Sequence, residues 1–125
     1  MIRVIGWDIG GANVKAARLL FTDGHAESGR AVRRYFELWN DRGCLRPLLQ
    51  EIYRDLGPAD AMVVTMTGEL CDAFDDRAEG VAYIIDAVRE AAPGIALYGI
   101  DLEGRLVRLD GGEVDLLTLE ATNWI

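Results

Sequence analysis

Asp8, Gly10, Gly11, Asn13 and Lys15 stand close together near the amino terminus, in the run V-I-G-W-D-I-G-G-A-N-V-K from Val4 to Lys15. A carboxylate at the carboxyl end of an apolar strand can hold Mg²⁺ or a water molecule. A turn built from residues without Cβ lets backbone N–H groups approach an anion. Asn13 can bend such a turn and donate hydrogen bonds, and Lys15 adds a cation. This spacing suits phosphate binding: Asp8 would hold the metal through water, with Gly10, Gly11, Asn13 and Lys15 as phosphate contacts. The same residues also fit a tight hairpin turn with an ordinary aspartate, and Lys15 also reads as a solvated strand residue.

A second polar group follows the apolar run Ala61–Met66: Thr65, Thr67, Glu69 and Asp72. Ligands of open α/β sheets bind beyond the carboxyl ends of strands, where these hydroxyls and carboxylates would lie. Thr67 and Glu69 could position or deprotonate a nucleophile there. The stretch fits a capped, hydrated loop equally well. Glu79 reads first as a helix-capping carboxylate.

The elements that must position these groups follow from periodicity. Ile2–Trp7 is a continuous apolar strand that ends before Asp8, and Val14–Phe21 returns beside it across the glycine turn. Asp23-Gly24 marks another turn, a polar loop containing His25 runs to Gly29, and Ala31–Trp39 reads as a third, edge-like strand. Leu45, Leu48, Leu49, Ile52, Tyr53 and Leu56 recur at helical spacing, with Pro47 in the first turn and Gly57-Pro58 as the stop. Ala61–Met66 is a buried strand parallel to the first. A second helix spans Arg77 to Ala92, opened by Asp76 and Glu79 as a capping box. Ile95–Ile100 is the fifth strand, and Glu103-Gly104 could turn it into a short arm, Arg105–Leu109. Val114–Ile125 carries a moderate helical pattern with no closing cap, which suggests a chain cut or encoded short. The order β-β-β-α-β-α-β makes a mixed five-stranded α/β sheet with flanking helices.

Composition excludes some classes. The 125 residues suffice for one domain with a proper core, and half of them are hydrophobic. Net charge is −8, with 13 scattered Lys and Arg against 21 Asp and Glu, so nucleic acid and anionic membranes are poor partners. No apolar run reaches membrane-spanning length and no signal peptide is recognisable, so a cytoplasmic protein is expected. Two cysteines without C-x-x-C spacing and one histidine do not make a zinc site; the cysteines read as small buried hydrophobes. Trp7, Trp39 and Trp124 read as core or interface fillers.

W-D-I-G-G-A-N-V-K-A-A at the start, V-V-T-M-T-G-E-L-C-D-A-F at 63–74, R-A-E-G-V at 77–81 and E-A-T-N-W near the end resemble one family. It is the hydantoinase/oxoprolinase-like branch of the actin, sugar-kinase and Hsp70 ATPase superfamily linked to tetrahydromethanopterin and methanofuran C1 metabolism. The resemblance spans essentially the whole chain and implies a ribonuclease H-like, actin-like ATPase lobe, with residues 1–125 as the amino-terminal lobe. It implies a transferase that joins an activated aminomethylfuran diphosphate to a glutamyl-tyramine and releases pyrophosphate. Mg²⁺ is the implied cofactor, with ATP or a diphosphate as the implied phosphorylated small molecule.

Two departures stand out. Ala12 and Asn13 replace the Ser or Thr common in superfamily first loops, and no second acidic, threonine-rich phosphate loop occurs. The second lobe is therefore expected to come from elsewhere, as further chain or a partner polypeptide, and the isolated chain is expected to be inactive. ATP-dependent hydantoinase- or kinase-like phosphotransfer remains open. So do a non-catalytic lobe that binds a separately encoded half, and a homo-oligomer formed through the unpaired face.

Overall fold

A computed structural model of the chain describes residues 1–71, 73–110 and 116–119. Strands β1 (Ile2–Ile9), β2 (Asn13–Thr22) and β3 (His25–Tyr35) form an antiparallel meander. Helix α1 (Leu45–Leu56), strand β4 (Ala61–Met66), helix α2 (Arg77–Ala91), and strands β5 (Ala96–Ile100) and β6 (Leu106–Arg108) follow. The sheet order is β3-β2-β1-β4-β5-β6, with β4 parallel to β1 and β5 parallel to β4. The mixed α/β sheet is as expected, but it has six strands rather than five: part of the short arm pairs antiparallel with β5.

Boundaries differ where polarity masked a strand. Asp23 and Gly24 both have positive φ, 52° and 79°, which makes a tight two-residue turn matched to strand twist. β3 therefore starts at His25 rather than Ala31. It is an edge strand, so polar residues such as His25 and Arg30 do not disqualify it. β1 runs on to Ile9, so Asp8 lies within the strand, opposite Lys15, rather than beyond its end.

All strong burial is on one face of the sheet. Ile5, Trp7 and Ile9 of β1 point there with Val14 and Ala16 of β2 and Met62, Val64 and Met66 of β4. The buried Trp7 indole N–H donates to Met62 Sδ at 3.3 Å. Helix α1 buries Leu45, Leu49, Ile52 and Leu56, one stripe at helical spacing, and packs beside α2 on this same face. Asp76 caps α2 by accepting from Glu79 N at 2.8 Å, and Glu79 reaches back to Asp75 N at 3.2 Å. The capping box is real, displaced by one residue on its return arm. The opposite face, with Val4, Gly6, Asp8, Lys15, Ala17, Val63, Thr65 and Tyr98, has no buried residue among those described.

Trp7 is core and Trp39 is half-exposed, while Cys44 is exposed, contrary to its expected burial. Trp39 and Cys44 follow β3, where the chain crosses the surface to reach α1. Of the helical pattern expected over 114–125, Leu116–Leu119 form a short 3₁₀ turn against α2. Asn123 and Trp124 lie outside the described residues. No described helix is long and apolar enough to cross a membrane.

Candidate functional site

The site is built from the register of four strands. Asp8 faces Lys15 across the β1–β2 ladder and Thr65 across the parallel β1–β4 ladder, and Lys15 faces Arg33 across β2–β3. Residues directly opposite share a face, so Thr65, Asp8, Lys15 and Arg33 form one polar row on the open side. Lys15 Nζ lies 3.7 Å from Asp8 Oδ2. Thr65 donates its hydroxyl to the Trp7 carbonyl at 3.3 Å. Beside the row is an open depression of about 420 Å³, lined by Asp8, Lys15 and Arg33 with Gly6, Ala17 and Ala31. Those three small residues are in mutual register, so the depression exists because its floor has almost no side chains.

The glycine turn adjoins the end of this row. Gly10 N–H donates to Asn13 O at 2.9 Å and closes a loop whose free residues are Gly11 and Ala12. Their carbonyls are both taken, Gly11 O by Leu38 N and Ala12 O by Phe36 N, each at 3.0 Å. Since C=O and N–H of a trans peptide point oppositely, the Ala12 N–H is turned away from Leu38. The Gly11 and Ala12 amides have no acceptor among the described residues. Gly10 thus serves by its shape and gives its N–H to the turn. A Cβ at Gly10 would lie 3.2 Å from Asn13 O and 3.7 Å from Thr67 Oγ1. The missing side chain brings Thr67 against the loop.

Thr67 N–H donates to Ile9 O at 3.0 Å, extending the β1–β4 ladder one step past β4. Gly11 meets the next turn, where an added Cβ would touch Cys71 Cβ at 3.5 Å. The structure therefore gathers Asp8, Lys15, Thr65, Thr67 and the glycine turn at one end of the sheet's inner strands β2, β1 and β4. Glu69 sits on the 3₁₀ turn Gly68–Leu70 next to Thr67; its side chain, like Asp72 as a whole, is outside the described residues. Asn13 turns its side chain to Arg33, accepting from Nε at 3.3 Å. Glu79 is instead a structural clamp, paired with Arg42 at 2.9 Å under the Phe74 and Tyr83 rings.

Among the described residues no three His, Cys, Asp or Glu side chains cluster as metal ligands. That donor set fits Mg²⁺, which keeps several waters and binds through one carboxylate plus phosphate oxygens. Arg33 escaped the sequence reading because its face depends on a bulge: β2–β3 shifts by one residue between Leu20 and Phe21, leaving Glu27 unpaired. Without that extra residue Val32 would face Lys15 instead.

Comparison with solved structures settles the architecture. Thermus thermophilus RuvC in complex with a Holliday junction substrate superposes with TM-score 0.51 and 18% identity, over 79% of this chain and 64% of that one. The type II variant of the Aquifex aeolicus Ppx/GppA phosphatase gives TM-score 0.53 and 16% identity, over 83% of this chain and 38% of that one. The fold is ribonuclease H-like, of the kind shared with actin-like ATPases.

In sequence, the chain is 32% identical over 123 residues to the (4-{4-[2-(gamma-L-glutamylamino)ethyl]phenoxymethyl}furan-2-yl)methanamine synthase of Methanocaldococcus jannaschii. The match covers 98% of this chain and 34% of the archaeal enzyme, so the chain spans about a third of its relative's length. No protein-family model matches the chain.

Proposed function

We propose that this chain is the amino-terminal lobe of a diphosphate-handling transferase of the methanofuran-synthase type. The observation that carries the reading is the convergence of Asp8, Lys15, Thr65, Thr67 and the open Gly11–Ala12 amides at one end of the inner strands. The similarity to the archaeal synthase along nearly the whole chain supports it. That enzyme's name describes a phenoxymethylfuran, an aryl ether at a furfuryl carbon.

Applied to this chain, the substrate would be a furfuryl-type diphosphate. Its C–O bond breaks with the electron pair leaving on pyrophosphate, a phenolic oxygen bonds to the freed carbon, and the phenolic proton passes to a base. The Gly11 and Ala12 amides and Lys15 would take the anionic leaving group, with Gly10 and Asn13 shaping the cradle. Asp8 would hold Mg²⁺ through water, and the metal when bound would neutralise charge developing on the diphosphate. Thr67 and Glu69 would position or deprotonate the phenol. A second lobe, as further chain or a partner polypeptide, would close the site.

An amide-resolved titration of the chain with Mg²⁺ and pyrophosphate, then with Mg-ATP, tests the reading. Expected are Mg²⁺-dependent shifts at Gly11, Ala12 and Lys15 with pyrophosphate, and loss of their Mg²⁺ dependence in Asp8→Asn. Silence toward both ligands would overturn the reading. Preferential response to ATP, with ATP consumed by the completed protein, would replace it with phosphotransfer. Equal turnover of Asp8→Asn and wild type in the completed protein would remove Asp8 from the mechanism.

A further inference from the structure

We propose that Arg33 is a specificity residue of this site, forming with Lys15 a two-cation subsite that takes the second phosphate of a diphosphate. The inference rests on the function proposed above and adds a residue that the β1–β2 motif does not contain. Three observations carry it.

The first is placement. Arg33 is opposite Lys15 and on the same face, and both line the depression beside Asp8. Adjacent strands lie about 4.8 Å apart, so Arg33 on β3 is roughly 10 Å of sheet from Asp8 on β1. The Arg33 side chain reaches back from β3 to the Asn13 side-chain oxygen at 3.3 Å, so its guanidinium flanks the turn from the strand beyond Lys15. A ligand with a second phosphate extends toward it.

The second is partnering. Acidic residues outnumber basic ones in this chain, and its arginines are mostly claimed. Arg3 is held by Asp60, Arg34 by Asp55, Arg42 by Glu79, Arg46 by Glu90, Arg89 by Asp86 and Arg105 by Asp101. Arg18 and Arg30 donate to main-chain carbonyls. Arg33 has no carboxylate partner among the described residues. The single hydrogen bond of its guanidinium there, Nε to the Asn13 side-chain oxygen, joins it to the phosphate turn and leaves the terminal guanidinium nitrogens for a ligand.

The third is charge balance. Asp8 and Lys15, as an ion pair, carry no net charge between them. Arg33 gives the row a net positive charge, and with Mg²⁺ the site then matches a polyanion rather than a monoanion. The small side chains of Ala17 and Ala31 leave the guanidinium accessible from the depression.

The test is calorimetric and amide-resolved titration of the 125-residue chain with Mg²⁺ plus pyrophosphate and, separately, Mg²⁺ plus orthophosphate. Wild type, Arg33→Gln and Arg33→Lys are compared, each shown folded by its amide spectrum. Losing a hydrogen bond to a charged group predicts about tenfold weaker pyrophosphate binding in Arg33→Gln, with orthophosphate affinity within about twofold of wild type. Arg33→Lys should recover part of the loss, since it restores charge without the planar fork. Unchanged pyrophosphate binding in Arg33→Gln, with Gly11 and Ala12 still responding, would overturn this inference and leave the proposed function intact. Equal weakening of both ligands would overturn the discrimination. No response at Gly11, Ala12 or Lys15 in wild type would overturn both.

Discussion

Asp60 shows how one carboxylate can set a register without touching the site. Its Oδ2 accepts from the Arg3 backbone N–H at 2.8 Å, its Oδ1 from the Arg3 guanidinium at 2.9 Å, and its own N–H donates to Arg3 O at 2.8 Å. These bonds fix the start of β4 against the start of β1, and the parallel ladder then carries Thr65 to Asp8. The Arg3 side chain and backbone N–H hold the Asp60 carboxyl down at about 2. A group whose folded pKa is depressed contributes stability above its unfolded pKa, near 3.9. That contribution is lost as pH falls through the folded value. Urea unfolding of wild type and Asp60→Asn should therefore show the wild type more stable at neutral pH. The difference should shrink from about pH 5 downward and be gone only near about pH 1, below both values. A gap that persists at about pH 1 would mean the pairing acts through geometry rather than charge. Asp60 was invisible in the sequence, where it is one polar residue in a G-P-A-D turn. Asp8 was visible, because a charge after an apolar strand and before two glycines breaks the local pattern.

At the scale of elements, legibility tracked burial. Helix α1 and β4 match their expected bounds, and α2 falls one residue short, because each carries an apolar pattern of one period with clear stops. β3 starts six residues before the expected Ala31 and ends four before the expected Trp39, because an edge strand need not alternate. The bulge at Glu27 is set by how two strands twist past each other, so no local pattern reveals that Arg33 rather than Val32 joins the site row. Gly68 is a further case, a position to which the sequence alone assigns no role. It is buried where the β4–α2 connection crosses the core, and a Cβ there would lie 2.8 Å from Leu38 Cδ2, 3.1 Å from Ile84 Cδ1 and 3.2 Å from Ile9 O. The side chains can shift, but the strand carbonyl cannot do so without moving β1. Gly68→Ala should therefore destabilise the chain by about 1–3 kcal/mol, the cost of overpacking a fitted core. Chemical denaturation measures it, and a variant as stable as wild type would show that the connection yields freely. Since Thr67 precedes Gly68, the same variant should also displace the Gly11 and Ala12 amide signals.

The whole molecule combines a fold shared with a junction-binding protein and a charge distribution that opposes that role. RuvC resembles this chain at 18% identity, a likeness of architecture only. Duplex and junction binding draw their affinity from Lys and Arg that neutralise phosphates and release counterions. Here 13 such residues face 21 carboxylates, and most described arginines are tied to a carboxylate or a carbonyl. The uncovered sheet face offers Lys15 and Arg33 beside Asp8, enough for a small polyanion and too few for a helix of phosphates. That face also bears half-exposed apolar residues over the parallel strands β1, β4 and β5, and parallel sheets are normally covered on both sides. Another layer of protein suits it better than nucleic acid. In a mobility-shift assay with a four-way junction, Mg²⁺ present and ionic strength near physiological, the chain should leave the DNA unshifted. Any affinity should be weaker than about 10⁻⁴ M, the weak end of non-specific binding. Retention that falls steeply with added salt would mean that Lys15, Arg33 and their neighbours act together on one surface. The site would then belong with nucleic-acid chemistry instead of small-molecule transfer.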